Sequence, residues 1–218
     1  MAQSLKVLIG CETSGVMRRA FADLGHDVWS CDLLPADDGS NRHIICDVRE
    51  LLQDGWDLLA VMHPPCTRLC NSGVRWLHTP PPGRTKAEMW ADLDAGAALF
   101  SDCWNAPIAR VAIENPIMHR YAKERILNYQ PPAQTVQPWW FGDEAFKATS
   151  FYLRGLEPLQ ATHRLSPPKS GTAEHKRWSA VHRAPPGADR WRIRSKTFPG
   201  IAAAAAAQWG GYALEVAA

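Results

Sequence analysis

The stretch His63-Pro64-Pro65-Cys66 follows the apolar run DLLAVM (57–62) and sets a thiol directly after two prolines. Proline removes a backbone donor and fixes its own dihedral, so two in a row stop a strand and hold the next residue in place. Cys66 is therefore either a small buried hydrophobe or a nucleophile at the mouth of a site. Further on, the run ARVAI (109–113) ends at Glu114-Asn115-Pro116. A cysteine paired with an acid lacks the usual imidazole base and suits addition to an electron-poor ring. The thiolate adds at one carbon while a protonated carboxyl donates to a ring nitrogen. His63 is close in sequence, but strand alternation does not fix where it points, and it is read as packing.

Other candidate groups also fall at the ends of apolar runs. The segment CETSGV (11–16) follows the run LKVLIG (5–10), Asp32 closes HDVWSCD (26–32), and Asp47 closes RHIICD (42–47). In a doubly wound sheet, ligands bind beyond the carboxyl ends of the strands. CETSGV can bring backbone close to a ligand and open a helix toward it. It is not the dinucleotide fingerprint, since GxGxxG is absent. Asp32 stands where ribose hydroxyls would be read, and Asp47 could accept from an adenine amino group.

The elements that must position these groups alternate. Strands are expected at 5–11, 26–32, 42–47, 56–65, 109–116 and 150–156. Helices are expected at 15–25, ending at Gly25, at 48–53 and at 86–105, where apolar residues recur at helical spacing. Strand–helix alternation with near-continuous apolar strands predicts an α/β fold, a doubly wound, mostly parallel Rossmann-like sheet covered on both faces. Residues 67–85 read as a long functional loop after Cys66. The chain turns Pro-, Gly- and charge-rich from about 158, then closes on FPGIAAAAAAQWGGYALE, whose alanine run is helix-forming filler.

Composition narrows the class. The 218 residues suit one good-sized domain, and 46% hydrophobic with 21% charged residues reads as globular. No apolar run approaches the roughly 20 residues that span a bilayer, and the apolar start is too short for a secretory signal. A cytoplasmic protein with six free thiols is expected. Cys66 and Cys70 are the only close pair, and no second pair completes a zinc set, so no metal is expected. The net charge of +2 conceals nine Lys/Arg against two Asp/Glu between His163 and Lys196, a local +7 that leaves −5 elsewhere. Basic residues interleaved with aromatics (EHKRW, AVHR, RWRIR) are the footprint of a polyanion.

PPC after the fourth strand and ENP after the fifth resemble the Pro-Cys and Glu-Asn-Val motifs of the DNA (cytosine-5) methyltransferases. The chain looks like a short member of that family, of the kind carried by phages, over most of 5–157 and again over 194–210. The resemblance implies a methyltransferase-type Rossmann-like fold, S-adenosylmethionine as cofactor and DNA as partner, with no membrane association. The cytoplasm would be that of the host if phage-encoded; the oligomeric state stays open, a monomer being compatible. Cys66 would attack C6 of cytosine, Glu114 would bond N3 and the exocyclic amine, and Asn115 would brace the Cys66 loop. Glu12, Ser14 and Gly15 would match the cofactor's glycine-rich loop, Asp32 its ribose acid, Asp47 its adenine contact, and Pro64 the pocket wall. Residues 67–85 would form the mobile loop that closes over a flipped or single-stranded base.

Departures from the family pattern are specific. Thr67 replaces the glutamine after the cysteine. FGDEAFKATSFYL matches the Gln-x-Arg-x-Arg motif loosely, with Ala145 for the glutamine, and Lys147 and Thr149 for the arginines. Another pyrimidine or a modified transferred group therefore stays open, as do a DNA-binding homologue without turnover and, ranked third, an exocyclic amino-methyltransferase. Residues 1–157 with 194–218 would form the catalytic domain. Residues 158–193 form a basic insert where the family has a target-recognition domain, too short to be one. Lys176, Arg177, Arg190, Arg192 and Arg194 would meet phosphates, giving affinity with relaxed sequence preference.

Overall fold

A computed structural model describes residues 4–185, 187, 190–195 and 197–211. Seven strands form one sheet: β1 (Lys6–Gly10), β2 (Asp27–Asp32), β3 (His43–Ile45), β4 (Leu58–Val61), β5 (Arg110–Glu114), β6 (Gln134–Val136) and β7 (Thr149–Arg154). Their order is β3-β2-β1-β4-β5-β7-β6. β1 to β5 run parallel, and β7 lies antiparallel to both β5 and β6. The sheet is the doubly wound, mostly parallel Rossmann-like arrangement that the alternating apolar runs predict.

Both faces are covered. Strand alternation sends Val7 and Ile9 to one face and Leu8 to the other, and all three are fully buried. The Leu8 face packs against the long helix α3 (Lys86–Trp104) through Met89, Leu93 and Phe100. Thr85 and Glu88 start α3 with a reciprocal capping box, which fixes where the chain turns back to the sheet. The Val7 face packs against α1 (Val16–Ala22) and the alanine-rich α7 (Pro199–Ala205), which runs into one π-helical turn, Ala206–Gly210. Small side chains let α7 sit close to α1, and Trp209 closes its end edge-on against Phe151, ring centroids 5.4 Å apart.

Several elements differ from the sequence expectation. The first helix stops at Ala22, with Gly25 in the left-handed turn beyond it (φ 86°). Residues 48–51 form one 3-10 turn instead of an α-helix. The strand expected over 56–65 is confined to 58–61. The 67–85 loop is folded: it holds α2 (Arg75–His78) and buries Leu69 and Leu77 against α3 and the sheet. Strand β6 and the short helix α4 (Arg120–Lys123) have no counterpart in the sequence reading. The basic segment contains α5 (Ala173–Trp178) and α6 (Arg190–Ser195). It lies along residues 139–146: Leu165 and His163 donate backbone bonds to Trp139 and Trp140, and Phe146 packs on Trp178.

The loop after β2 is tied to α1 by the buried Arg18. Its guanidinium donates to Ser30 Oγ, Ser40 Oγ and both oxygens of Asp38. Burial opposes ionisation of Asp38, but the Ser40 amide and the Arg18 charge outweigh it and hold the carboxyl below its ordinary range. A depressed folded pKa gives stability that is complete above the unfolded carboxylate value of about 3.9 and is lost as pH falls through the folded one. Asp38→Asn should therefore flatten the acid limb of the stability curve below about pH 4, read from urea melts across pH. An unchanged acid limb would remove Asp38 from that role.

Candidate active site

The carboxyl ends of β1, β2, β3, β4 and β5 share one edge of the sheet, with Gly10 paired to both Cys31 and Val61, and Val61 to Ile113. The topological switch lies between β1 and β4, where strand order reverses and a crevice opens. Because β7 is antiparallel, it begins at the edge where β5 ends, and Glu114 pairs with Phe151. The residues just before and at the start of β7, Lys147 and Thr149, thereby arrive beside Glu114. Their proximity follows from strand polarity, not from sequence distance.

A cleft of about 210 Å³ forms there, walled by His63, Glu114, Lys147, Thr149, Thr197 and apolar groups that include Phe198. Glu114 is buried at 8% exposure. His63 bridges the cleft, with Nδ1 3.7 Å from Glu114 Oε2 and Nε2 3.0 Å from Thr197 Oγ1. Burial pushes the Lys147 ammonium below its ordinary pKa, partly offset by the charges of Glu114 and Cys66. Lys147, Glu114 and Cys66 are thus electrostatic neighbours. Thr149 Oγ1 donates to the Lys147 carbonyl at 3.0 Å, tying the start of β7 to the cleft floor.

Cys66 stands beside the cleft but is not one of its walls. Pro64 is buried and Pro65 exposed, so the diproline turns the chain out of the sheet. The Cys66 carbonyl then accepts from the Leu69 and Cys70 amides at 3.0 and 3.1 Å, closing one helical turn. That turn brings the two thiols near enough for each to act on the ionisation of the other. The interaction with Cys70, then burial and the negative charge of Glu114, push the Cys66 thiol up. Cys70 is driven down: its sulfur receives Cys66, the Ser72 hydroxyl at 3.0 Å, and the Gly73 and Ser72 amides, which outweigh its burial. The resting proton belongs to Cys66, and the anion, when one forms, to Cys70.

Asn115 is fully buried, yet neither its amide nitrogen nor its carbonyl oxygen has a hydrogen-bond partner among the described residues. The expected brace is therefore not a direct bond from Asn115. The turn is held instead by His119, whose amide donates to the Leu69 carbonyl at 3.0 Å and whose Nε2 lies 2.6 Å from the Arg68 carbonyl. Cys70 also forms an isolated bridge with Met118. Sequence reading missed His63, His119 and Cys70 as site residues. The Cys-x-x-x-Cys spacing was the one available signal, for Cys70.

The remaining candidates divide. Asp32 uses Oδ1 to accept from Leu34 N at 3.0 Å, while Oδ2 has no partner among the described residues. Leu33 and Ile45, exposed at 71% and 61%, flank it at the same edge. Glu12 is buried and turned inward: its carboxylate accepts from Ser14 Oγ, Met17 N and Arg18 N. It fills the start of α1 from within, so this helix end does not face an external anion. Gly15 takes φ 65°, where a Cβ would meet Arg18 and Asp38, so the loop geometry demands glycine. Cys11 adopts φ 55° without being glycine, local strain at the tip of β1. Asp47 caps the 48–51 turn and grips Arg49 with both oxygens, a local duty that competes with an adenine contact.

Of the basic residues, Arg194 is exposed and acts electrostatically on Lys147 near the cleft. Lys176 is exposed, Arg177 pairs with Glu144 and Glu174, and Arg190 is half-buried. The Arg192 side chain lies outside the described residues. Trp178 is buried against Phe146 rather than presented for stacking. No group of three metal-ligating side chains occurs among the described residues, and no helix there is long and apolar enough to cross a membrane.

Gly73 closes the Cys66 turn by lying against the Thr67 carbonyl, where a Cβ would overlap the oxygen. Gly73→Ala should force the turn open and destabilise the protein by about 1–3 kcal/mol, measured by urea denaturation. A neutral result would show that the turn is not held at this contact.

No protein-family model matches the chain. No curated protein matches it either. Among solved structures it is similar to the Entamoeba histolytica methyltransferase EhMeth, at 11% identity and a TM-score of 0.45, over 76% of this chain and 58% of that one. The chain thus spans less than two thirds of that protein's length, and the fold assignment rests on strand order and polarity.

Proposed function

We propose that this chain is an S-adenosylmethionine-dependent DNA (cytosine-5) methyltransferase. The observation that carries the reading is the meeting of Cys66, Glu114 and Lys147 at one sheet edge, beside a small cleft. The same edge offers a fit for the cofactor's nucleoside. Asp32 has an oxygen open to ribose hydroxyls, Leu33 and Ile45 give apolar surface to a purine, and the Gly10–Gly15 loop allows close backbone approach. When bound, the cofactor supplies an electrophilic methyl.

The protein's own groups do the rest. Glu114 faces N3 and the exocyclic amine as their hydrogen-bond partner, which draws electrons from the ring. His63 holds the carboxyl in place from the opposite wall. The Cys66 sulfur gives its proton to water and adds to C6, so that C5 becomes the nucleophile and takes the methyl. Transfer of the C5 proton to water and departure of Cys66 as thiolate then restore the aromatic ring. Lys147 lies where its charge offsets negative charge built on the sulfur and the ring. Exposed Lys176 and Arg194 and half-buried Arg190 supply phosphate contacts, so binding should weaken steeply with salt while discriminating little between sequences.

The deciding measurement is mass spectrometry of nucleosides from DNA incubated with the protein and S-adenosylmethionine. The expected product is deoxycytidine heavier by one CH2 at C5, falling to background in Cys66→Ala with folding and cofactor binding retained. Product from Cys66→Ala, or a methyl on the exocyclic nitrogen, would overturn the covalent mechanism. A modified uracil would redirect the reading to another pyrimidine, in keeping with Lys147 and Thr149 where the family carries arginines. Asp32→Ala should weaken cofactor binding about 10- to 100-fold by calorimetry, the loss of a hydrogen bond to a charged group. Unchanged affinity would refute that placement.

A further inference from the structure

Cys66 and Cys70 are the two thiols that meet in a built environment, and the reaction proposed above uses only one of them. Their backbones are joined by the Cys70 N to Cys66 O bond of 3.1 Å, which sets the Cα atoms about 6 Å apart, as in one turn of helix. Disulfides span Cα separations of roughly 4.4–6.8 Å, so the spacing of the two backbones suits one. Ser72 Oγ lies 3.0 Å from the Cys70 sulfur, and two amides also face it, so a negative charge on that sulfur is received by several donors. Cys66 is partly exposed, so the pair is open to small solutes from one side.

We propose that Cys66 and Cys70 are an oxidative modification site, converted to an intramolecular disulfide by hydroperoxides. The Cys70 thiolate attacks one peroxide oxygen; an S–O bond forms, the O–O bond breaks, and hydroxide departs. The resulting sulfenic acid is then attacked by the deprotonated Cys66 sulfur. The S–S bond forms and a second hydroxide leaves, taking up the thiol proton as water. Two thiols and one hydrogen peroxide give one disulfide and two waters. The other four cysteines fit this chemistry less well: burial raises the thiol pKa of Cys11, Cys31, Cys46 and Cys103, whereas the donors around the Cys70 sulfur outweigh its burial. The disulfide itself rests on the two sulfurs alone; its effect on methyl transfer rests on the function proposed above. In that case, the bond holds the nucleophile away from the cleft and protects it from irreversible oxidation.

Trypsin gives a direct test, because Arg68 lies between the two cysteines. After denaturation and alkylation of remaining thiols, cleavage separates residues 50–68, which contain only Cys66, from 69–75, which contain only Cys70. In native protein treated with hydrogen peroxide, these peptides should appear covalently joined, lighter by two hydrogens than their sum, and should separate with dithiothreitol. Cys66→Ser should abolish the joined species and leave sulfenic or sulfinic acid on Cys70, whereas Cys70→Ser should leave Cys66 largely unoxidised. Separate peptides carrying sulfinic acid, or Cys66 joined to another cysteine, would overturn the proposal. Loss and recovery of cytosine methylation with the same treatment would extend it to activity. If the disulfide forms in a protein that methylates nothing, the site stands and the function above fails.

Discussion

Everything at the site depends on the seam where the parallel part of the sheet meets its one antiparallel strand. β5 delivers Glu114 at its carboxyl end, and β7, running the other way, delivers Lys147 and Thr149 at its beginning. A parallel strand in that position would start at the opposite edge, some 17–20 Å away for a strand of this length. Strand polarity thus converts two distant segments into one wall of a cleft. Glu114 and Lys147 then face the same cleft, where the nearby negative charge offsets part of the burial that pushes the lysine down. The thiol at the end of β4 joins them as a third partner.

The rest of the architecture keeps that seam in place. α3 covers one face through Phe100, which stands edge-on to Tyr152 of β7 at 5.1 Å. α1 and α7 cover the other face, and Phe151, the residue opposite Glu114, is clamped by Trp209. The Cys66 turn is fixed from three directions: the diproline behind it, His119 beneath it and the Gly73 contact at its far end. A cluster of His78, Trp90 and Tyr121, with ring centroids 5.1–5.9 Å apart, anchors the segment that follows. These contacts leave the 67–85 segment docked, so access to the cleft depends on movement of particular side chains, above all the Cys66 sulfur.

What could be read from the sequence was what repeats or stops. Apolar runs of four to six residues marked the central strands, because a parallel strand buried on both faces needs no polar alternation. Prolines and a capping threonine marked where strands and the long helix end. Strand β6 escaped because three residues carry no period, and its pairing is decided by β7. The Cys66–Glu114 pairing was legible from motif and order. What each carboxylate does was not: Glu12 turns inward to start α1, and Asp47 grips its neighbour Arg49, because a short side chain bonds the nearest available donor. The same locality hid Cys70, whose part depends on one turn of backbone.

The alanine-rich helix has a consequence for when the site can exist. Thr197 and Phe198, which complete the cleft opposite β4, are carried at the start of α7, and α7 is held by its fit against α1. One wall is therefore made by early residues and the other by residues near position 200. During synthesis at about 5–20 residues per second, Cys66 and Glu114 emerge several seconds before the helix that completes the cleft beside them. The growing chain can thus organise its sheet without possessing a working centre, and competence arrives late, in a single docking event.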